Sequence, residues 1–351
     1  MTGDLLIRAD GSERIGAGHV MRCLALAEAW RDRGGTVVFA LASASGALEK
    51  RLKGEGMETA VLNVAAGGSG DARKTAALAR KRNASWVVVD GYAFDAGYME
   101  SVRGAGFRLA VVDDNGILDR YAAEMVINAN FYADENLYRR RTRDARLLLG
   151  SRYALIRREF RERRMRRRRF KAGPRRILVT LGGADVLGLT PAAIRALRNL
   201  RPDEIDVRAL VGPSNPNLER CREEMSAASF RGEVIPAATN MAEQMAWADV
   251  AVAAAGSTCW EMASLGLPAI LIVTADNQAP IAASLHKAGI AVSLGRPGRA
   301  LDARIAAAVK NLCADAALRR DMSRRGRRLI DGRGAERIAR ALMEQREGTE
   351  P

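Results

Sequence analysis

The sequence predicts an α/β protein of two doubly wound domains, each built on a parallel sheet. Its 351 residues are more than twice a typical domain length of roughly 150. Short apolar runs alternate with longer stretches of helical period, which is typical of βα units. The alternation restarts after Gly173-Pro174. We therefore predict an N-terminal domain at 1–158, a basic linker at 159–173, a C-terminal domain at 174–330, and a helix and tail at 331–351.

The first helix of the N-terminal domain is the clearest element. Apolar residues recur at steps of three and four from Cys23 to Trp30, and Gly34-Gly35 ends the pattern, so a helix is predicted over His19–Arg33. Strands of this domain are predicted at Leu5–Ala9, Thr36–Ala42, Glu58–Asn63, Trp86–Asp90, Arg108–Asp113 and Met125–Asn128.

The C-terminal domain shows the same alternation of short apolar runs and stretches of helical period. Its tail from Asp315 to Gln345 predicts two helices, broken near Asp331-Gly332, and such a tail can pack back across a hinge. In this fold class, ligands bind beyond the carboxyl ends of the strands, so the loops there are the candidates for function. Strands are predicted at Ile177–Leu181, Asp206–Val211, Phe230–Val234, Val250–Ala254, Ala269–Val273 and Val292–Leu294.

The positive charge is concentrated in one segment. Of a net charge of +15, the run Arg157–Arg176 supplies +10, from twelve basic residues against Glu159 and Glu162. Its aromatic residues are only Phe160 and Phe170, whereas nucleic-acid sites usually combine basic grooves with stacking platforms. We expect a solvated or anion-contacting linker here, which begins as a helix and frays into a coil, and no nucleic-acid partner.

The cysteine and histidine content argues against metal and disulfide chemistry. The four cysteines are far apart and form no CxxC pair, and the chain has two histidines. No signal pattern opens the chain, and no apolar run approaches the roughly 18 residues of a membrane span. We therefore expect a reduced, cytoplasmic protein without metal, cofactor or integral membrane association.

The loop after the first strand is rich in glycine and leads into the predicted helix. Met21 stands where a dinucleotide fingerprint needs its third glycine, so that interpretation fails. What remains is Gly16-x-Gly18-His19. The positive end of a helix dipole disfavours imidazolium, so neutral His19 could act as a general base. The alternative is a histidine satisfied by local backbone. His286, late in a helical stretch, is predicted to be structural.

Two loops of the C-terminal domain suit a phosphate. In Ala254–Glu261 a strand ends, a Gly-Ser-Thr turn follows and a helix begins, offering N–H groups and hydroxyls to a diphosphate, with Glu261 placed to accept from a ribose diol. A capping box between Ser257 or Thr258 and Glu261 explains the same spacing equally well. The loop Gly182-Gly183 offers similar amides, or forms a tight turn.

Three further polar segments follow predicted strands. Asp276-Asn277-Gln278 could bind sugar hydroxyls or cap a helix. Asp90-Gly91-Tyr92 and Asp113-Asp114-Asn115-Gly116 could bind sugar hydroxyls or cap turns.

These motifs resemble a known family. The segment from Ala9 to Ala27, containing Gly16-Ala17-Gly18-His19, closely resembles the signature of the UDP-2,4-diacetamido-2,4,6-trideoxy-β-L-altropyranose hydrolases of pseudaminic acid biosynthesis. The C-terminal half is similar to the nucleotide domain of the MurG glycosyltransferase, through Gly256-Ser257-Thr258-x-x-Glu261 and Gly266-x-Pro268. The resemblance implies a GT-B-like fold, with two Rossmann-like doubly wound domains and an interdomain cleft. Further matching segments are Val88-Val89-Asp90-x-Tyr92, Val112-Asp113-Asp114, Leu149–Phe160 and Leu181–Asp185.

The resemblance also implies a reaction and its residues. The family hydrolyses the anomeric C–O bond with inversion, so His19 would deprotonate water while the UDP site stabilises the leaving diphosphate. The partners would be a UDP-sugar and water, and the protein a monomer. The implied UDP contacts are Gly182, Gly183, Ala238, Gly256, Ser257, Thr258 and Glu261, and the implied sugar contacts are Asp10, Arg14, Gly16, Gly18, Arg22, Tyr92, Asn277 and Gln278.

One departure and two alternatives stand beside this hypothesis. The family often has histidine where this chain has Gly91, which leaves the identity of the sugar less secure. An inverting UDP-sugar glycosyltransferase of the MurG type would use the same UDP residues, with His19 acting on an acceptor hydroxyl. A nucleic-acid or acidic-membrane module centred on Arg157–Arg176 would show strong salt dependence.

Overall fold

The computed structural model describes residues 3–11, 16–44, 46–142, 144–166, 168–170, 173, 176–183, 185–198, 200, 205–212, 215–236 and 240–344. Contacts divide the chain into two compact units. The first contains 1–12, 17–157 and 332–351, and the second contains 13–16 and 158–331. Each unit is a parallel sheet with helices, so the predicted pair of doubly wound domains is confirmed.

The first unit is built on seven parallel strands in the order β3-β2-β1-β4-β5-β6-β7, with element labels following chain order. The order runs outward in both directions from β1 and β4, which is the doubly wound pattern. The strands are β1 Asp4–Ala9, β2 Val37–Leu41, β3 Glu58–Val61, β4 Ala84–Asp90, β5 Leu109–Val112, β6 Met125–Asn128 and β7 Arg146–Leu149. The helices are α1 Gly18–Arg31, α2 Gly46–Gly54, α3 Ser69–Lys81, α4 Ala96–Gly104 and the chain's last helix, α13 Gly334–Glu344.

Alternation along the strands supplies both faces of this sheet. Leu5 and Ile7 of β1 pack in the cluster that includes α1 and α13, whereas Leu6 packs in the opposite cluster with residues of α3 and α4. Successive side chains of a strand point to opposite faces, and a doubly covered parallel sheet buries both.

The last helix completes the core of the first unit. Ile338 and Leu342 of α13 are fully buried in the cluster with α1. The Trp86 indole N–H donates to the carbonyl of Leu342 at 2.8 Å. Gly334 lies so close to the backbone of Tyr153 and Ala154 that a Cβ on Gly334 would be 2.2 Å from the Ala154 carbonyl oxygen. The chain therefore returns to the first unit after the second is complete.

The second unit has six parallel strands in the order β10-β9-β8-β11-β12-β13. Its strands are β8 Arg176–Thr180, β9 Asp206–Val211, β10 Arg231–Pro236, β11 Val250–Ala254, β12 Ala269–Ile272 and β13 Ala291–Ser293. Its helices are α5 Arg158–Arg164, α6 Thr190–Leu197, α7 Leu218–Ser226, α8 Met241–Trp247, α9 Thr258–Leu265, α10 Ala279–Lys287, α11 Leu301–Ala314 and α12 Ala316–Leu329.

The start of the predicted linker is a helix of the second unit. In α5, Phe160 is fully buried. Arg164 donates to the carbonyls of Ser264 at 2.9 Å, Arg327 at 2.8 Å and Asp331 at 3.2 Å. Those carbonyls lie at or just beyond the ends of α9 and α12, where no intrahelical donor is available. Part of the 159–173 segment, which we expected to be a linker, is thus packed structure.

Other elements differ from prediction in detail. Strand β7 was not predicted, whereas the two C-terminal helices and the break between them at 330–333 are confirmed. The first helix begins at Gly18 and ends at Arg31, two residues short of the predicted end. Within the described ranges, no helix is long and apolar enough to cross a membrane.

Candidate functional site

The polar cluster of the first unit lies at the carboxyl ends of neighbouring strands. Strand β1 pairs with β4, and β4 pairs with β5, so the loops after them meet at one edge of the sheet. Gly16 adopts a φ of +71°, and α1 begins at Gly18. This path places His19 in the first turn of α1, close to the end of β4 at Asp90.

His19 and Asp90 form a hydrogen-bonded pair. His19 Nδ1 lies 2.7 Å from Asp90 Oδ1, and the Asp90 side chain is fully buried. An ionised carboxylate can only accept, so Nδ1 carries a proton, and in the neutral imidazole Nε2 is then the nitrogen that keeps its lone pair. Arg22 Nη2 also lies 3.2 Å from Nδ1, but the shorter carboxylate contact decides the tautomer. His19 is therefore held with Nε2 as its basic nitrogen.

Arg22 binds the two carboxylates around this histidine. Its Nη1 donates to Asp114 Oδ1 at 2.6 Å, and its other nitrogens donate to Asp90. Burial favours the neutral form of each group, yet the carboxylates raise the pKa of Arg22 well above its usual value. Burial also opposes ionisation of Asp90, but Arg22 and then His19 lower its pKa well below the usual range. The buried charges are thus mutually compensated.

Cys23 and Tyr92 complete the cluster. The Cys23 thiol donates to Asp90 Oδ2 at 3.2 Å, and burial, with Asp90 second, raises its pKa well above the usual value, so it is a neutral donor. Tyr92 donates its hydroxyl to Asp114 Oδ2 at 3.0 Å and packs edge-on to the His19 ring at 5.0 Å. Tyr92 is 57% exposed, so the aromatic contact of His19 lies at the protein surface.

Gly91 has a backbone that favours glycine. Its φ is +154°, and a Cβ there would lie 3.1 Å from Phe94 Cε2. A side chain at this position would therefore require a different local backbone.

Asp10 has structural partners. Its Oδ1 accepts from the Ala42 N–H at 2.7 Å, and its Oδ2 lies 2.7 Å from Arg8 Nη1. Arg8 is fully buried and also binds both carboxylate oxygens of Asp71, at 2.9 and 2.8 Å. Both carboxylate oxygens of Asp10 therefore have partners within the first unit. The predicted sugar contact Arg14 lies outside the described residues.

In the second unit, two glycine-containing loops follow adjacent strands. Strand β8 pairs with β11. Gly182 has a φ of +93°, and the next glycine, Gly183, is exposed. Asp185 caps the following helix, since its carboxylate accepts from the N–H groups of Leu189 at 3.0 Å and Thr190 at 2.8 Å. The Asp185 side chain thus satisfies two backbone donors at the start of α6.

The loop after β11 leads directly into α9. Gly256, Ser257, Thr258 and Glu261 are half-buried, and Ser257 stands at the N-cap position without making a side-chain capping hydrogen bond. The N-capping role proposed for Ser257 is therefore not observed. Helix dipole and hydroxyls at such a position suit a phosphate group.

Gln278 lies beside this loop. Its Oε1 accepts from the Thr274 N–H at 2.9 Å and from the Thr274 hydroxyl at 3.0 Å, which fixes the amide. A Cβ on Gly256 would lie 4.0 Å from Gln278 Nε2. The predicted ligand residues Gly256 and Gln278 are thus neighbours. Ala238, a predicted uracil contact, lies outside the described residues.

The sequence of the second unit matches a family model. Residues 176–326 match the Glycosyltransferase family 28 C-terminal domain. This family 28 match covers β8 through most of α12, including both glycine-containing loops. It supports a relationship to the superfamily that includes MurG.

Curated relatives agree with this relationship. One is the UDP-N-acetylglucosamine--N-acetylmuramyl-(pentapeptide) pyrophosphoryl-undecaprenol N-acetylglucosamine transferase of Xanthomonas campestris pv. campestris (strain B100), 33% identical over 184 residues, or 50% of this chain and 42% of that protein. Another is the spore coat polysaccharide biosynthesis protein SpsG of Bacillus subtilis (strain 168), 27% identical over 172 residues, or 48% of this chain and 50% of that protein. The matches therefore span half or less of each relative.

Solved structures confirm the GT-B fold. Acinetobacter baumannii MurG superposes with a TM-score of 0.67 at 17% identity, covering 97% of this chain and 99% of that chain. The S. aureus MnaA–UDP structure gives a TM-score of 0.70 at 13% identity and 99% coverage of both chains. The calicheamicin glycosyltransferase CalG4 gives a TM-score of 0.62 at 16% identity, with both chains covered fully.

The structure adds residues that sequence reasoning did not assign to the site. Asp90 and Asp114 were noted only as acids at strand ends, yet they hold His19 and Arg22. His286 accepts from the Ser293 N–H at 3.4 Å, in agreement with its predicted structural role. Among the described residues no cluster of three or more potential ligands could hold a metal ion.

Proposed function

We propose that the chain is an inverting enzyme acting on a UDP-sugar, with His19 as the base that activates the attacking hydroxyl. The observation that carries this proposal is the 2.7 Å contact between His19 Nδ1 and the buried Asp90 carboxylate. It leaves Nε2 basic and fixes the plane of the imidazole, the two requirements of a general base. The family 28 match of the second unit supports UDP-sugar as the substrate class.

The proposed binding of UDP uses the two glycine-containing loops of the second unit. The α9 N-terminus, with Gly256, Ser257 and Thr258, would hold the diphosphate. Gly182 and Gly183 would approach it from the loop after β8, and Glu261 would accept from the ribose diol. Gln278 would donate its fixed amide to the sugar or diphosphate, because its Oε1 is already used by Thr274.

The proposed reaction is one displacement at the anomeric carbon. The attacking O–H gives its proton to His19 Nε2 as its oxygen bonds to that carbon, and the bond from the carbon to the UDP oxygen breaks with both electrons leaving on UDP. Attack opposite the leaving group inverts the anomeric centre. Amides, hydroxyls and the helix dipole stabilise the charge that develops on the diphosphate. Asp90 stabilises the imidazolium that forms.

A transferase and a hydrolase differ in the molecule that accepts the sugar. The family 28 match and the transferase relatives favour a hydroxyl of a second molecule, and they support this MurG-type alternative better than hydrolysis. Water is the second candidate, because the segment from Ala9 to Ala27 resembles the pseudaminic acid pathway hydrolases. This segment contains His19, the proposed base. Both candidates use the same base and the same leaving group.

One experiment distinguishes them. The chain is incubated in water enriched in ¹⁸O with UDP-N-acetylglucosamine or with UDP-2,4-diacetamido-2,4,6-trideoxy-β-L-altropyranose, with and without hydroxyl acceptors, and the products are analysed by proton NMR and mass spectrometry. UDP release that requires an acceptor would support the transferase. Release without acceptor, with label on an inverted free sugar, would support the hydrolase. Label on UDP would mean attack at phosphorus and would overturn both, as would full activity of His19→Gln.

A further inference from the structure

A second charged site lies in the second unit. A cavity of about 820 Å3 is lined by five arginines, which we call the arginine cavity. Two carboxylates, Glu243 and Asp249, also line it, as does Trp247. The five arginines are Arg163, Arg166, Arg168, Arg169 and Arg176.

The arginine cavity is at the opposite edge of the sheet from the nucleotide loops. Arg176 is the first residue of β8, and Asp249 immediately precedes β11, whereas the glycine-containing loops follow the carboxyl ends of these strands. Leu265, at the end of α9, lines the cavity, and Thr258 begins the same helix. Their backbone positions are about 10 Å apart along the helix axis. One diphosphate cannot occupy both places.

Carboxylates do not balance the charge of the cavity. Arg163 reaches Glu243 only at 3.8 Å, and Asp249 Oδ2 accepts from the backbone N–H of Arg176 at 3.1 Å. The side chains of Arg166 and Arg169 are exposed and make no ion pair or hydrogen bond with any part of the chain that the structure describes. The lining therefore carries an excess of positive charge.

Arg168 is the most constrained of these cations. Its guanidinium donates to the carbonyls of Ala248 and of Met245, the latter at 2.8 Å. Its Nε is buried and has no hydrogen-bond partner among the described residues. Burial lowers the pKa of Arg168 to about 10, against the opposing effect of Asp249. An anion in the cavity would accept from Arg168 Nε and add to the counter-charge that Asp249 supplies.

The side chain of Trp247 forms one side of the arginine cavity. Trp247 lies between two guanidinium groups, with the Arg208 carbon 4.2 Å and the Arg176 carbon 5.7 Å from the centroid of its ring system. Arg208 is held in turn by Glu233 at 2.8 Å. These contacts orient Arg176 at the cavity without neutralising its charge.

We propose that the arginine cavity binds an oligophosphate group, at a site separate from the nucleotide loops. Planar guanidinium groups match phosphate oxygens in bidentate pairs, and several of them together suit a ligand with more than one phosphate. The volume is in the range of ordinary small-ligand sites. The phosphates could belong to a free small molecule or to anionic lipid headgroups.

The test uses the full chain saturated with UDP and sodium tripolyphosphate as the probe. Calorimetric titration is compared for the unmodified chain, for the double variant Arg166→Gln/Arg169→Gln, and for a control, Arg299→Gln/Arg320→Gln, in which exposed arginines of the same unit outside the cavity lining are changed. We expect at least a tenfold loss of affinity in the cavity variant and little change in the control. The salt dependence should also be shallower in the cavity variant.

Several results would overturn the proposal. They are no binding of tripolyphosphate, equal losses in the two double variants, or competition between tripolyphosphate and UDP. Vesicles of phosphatidylglycerol in phosphatidylcholine, compared with phosphatidylcholine alone, identify the source of the phosphates. Vesicle binding that tripolyphosphate displaces would support lipid headgroups, and tripolyphosphate binding without vesicle binding would support a free ligand.

Discussion

Arg22 binds both carboxylate oxygens of Asp90, with Nε 2.6 Å from Oδ2 and Nη2 2.6 Å from Oδ1. The same carboxylate accepts from His19 Nδ1. A bidentate pair restricts the carboxylate far more than a single contact does. Arg22 therefore sets the orientation of the His19 ring indirectly, because it keeps the Asp90 carboxylate ionised and in place.

Replacing Asp90 should uncouple base catalysis from nucleotide binding. In Asp90→Asn the amide can donate to Nδ1, which would move the imidazole proton to Nε2 and block it as a base. We expect kcat to fall by a factor of about 10² to 10⁴. The Kd for UDP, measured by calorimetry, should stay within about twofold, which also serves as the control for folding.

The double variant His19→Gln/Asp90→Asn sharpens this test. Because the two residues act as a unit, the double variant should lose little more activity than His19→Gln alone. Multiplicative losses would show that Asp90 acts independently of His19. Near-normal turnover in Asp90→Asn would remove Asp90 from the mechanism.

The ionisation of Asp90 should also appear in acid stability. Its folded pKa is held below the ordinary 3.8 by Arg22 and His19, despite burial, so the unfolded state binds more protons at low pH. Its stabilising contribution is complete above about pH 5 and is lost as pH falls through 3.8 toward the lower folded value. Urea unfolding of the unmodified chain and Asp90→Asn should show a stability difference that narrows from pH 6 toward about pH 3. A constant difference would contradict the assignment.

Glu261 should affect binding before turnover. We expect Glu261→Ala to weaken UDP affinity about 10- to 100-fold, the usual effect of losing hydrogen bonds to a charged acceptor. The analogue 2′,3′-dideoxyuridine 5′-diphosphate lacks the ribose diol, so it should bind the unmodified chain and Glu261→Ala with equal affinity. If the variant still preferred the ribose form, the diol would be bound elsewhere.

Two adjacent glycines provide a matched stability test. Gly182 has a φ of +93°, whereas Gly183 is outside the left-handed region, and an added Cβ meets nothing within 4 Å at either. Gly182→Ala should therefore cost about 1–2 kcal/mol of unfolding free energy, and Gly183→Ala less than about 0.5 kcal/mol. Equal effects would mean that the loop relaxes to an ordinary conformation.

Arg164 should be important for the stability of the second unit. Arg164→Ala removes donors from the carbonyls of Ser264, Arg327 and Asp331, and we expect a loss of about 2–3 kcal/mol. Arg166→Ala, at an exposed position two residues beyond the same helix, is the control. Denaturant unfolding that shifted equally in both variants would argue against the carbonyl contacts.

The fold was largely predictable because its signals are local. The helical period of apolar residues identifies α1, and a short apolar run identifies β1, in each case from neighbouring residues. Long-range pairing is not local: Asp90 lies 71 positions from His19, and nothing in one sequence indicates which strand-end acid will meet it. The contacts of Asp10 with Arg8 and with the Ala42 N–H were not indicated by the sequence either, and its role as a sugar contact stays a prediction. Phe160 of α5 lies in the segment 157–176 with twelve basic residues, and this composition gave no indication that its side chain is buried.

The position of α13 has a consequence for synthesis on the ribosome. The Trp86 indole and the cluster around α1 receive neighbours from residues 334–344, so the core of the unit that begins first stays unfinished until those residues have been made. The core of the second unit is formed within the contiguous stretch 158–331, so it can form earlier. A nascent chain arrested before α13 emerges should therefore expose apolar surface of the first unit, and this intermediate is the natural client for a chaperone.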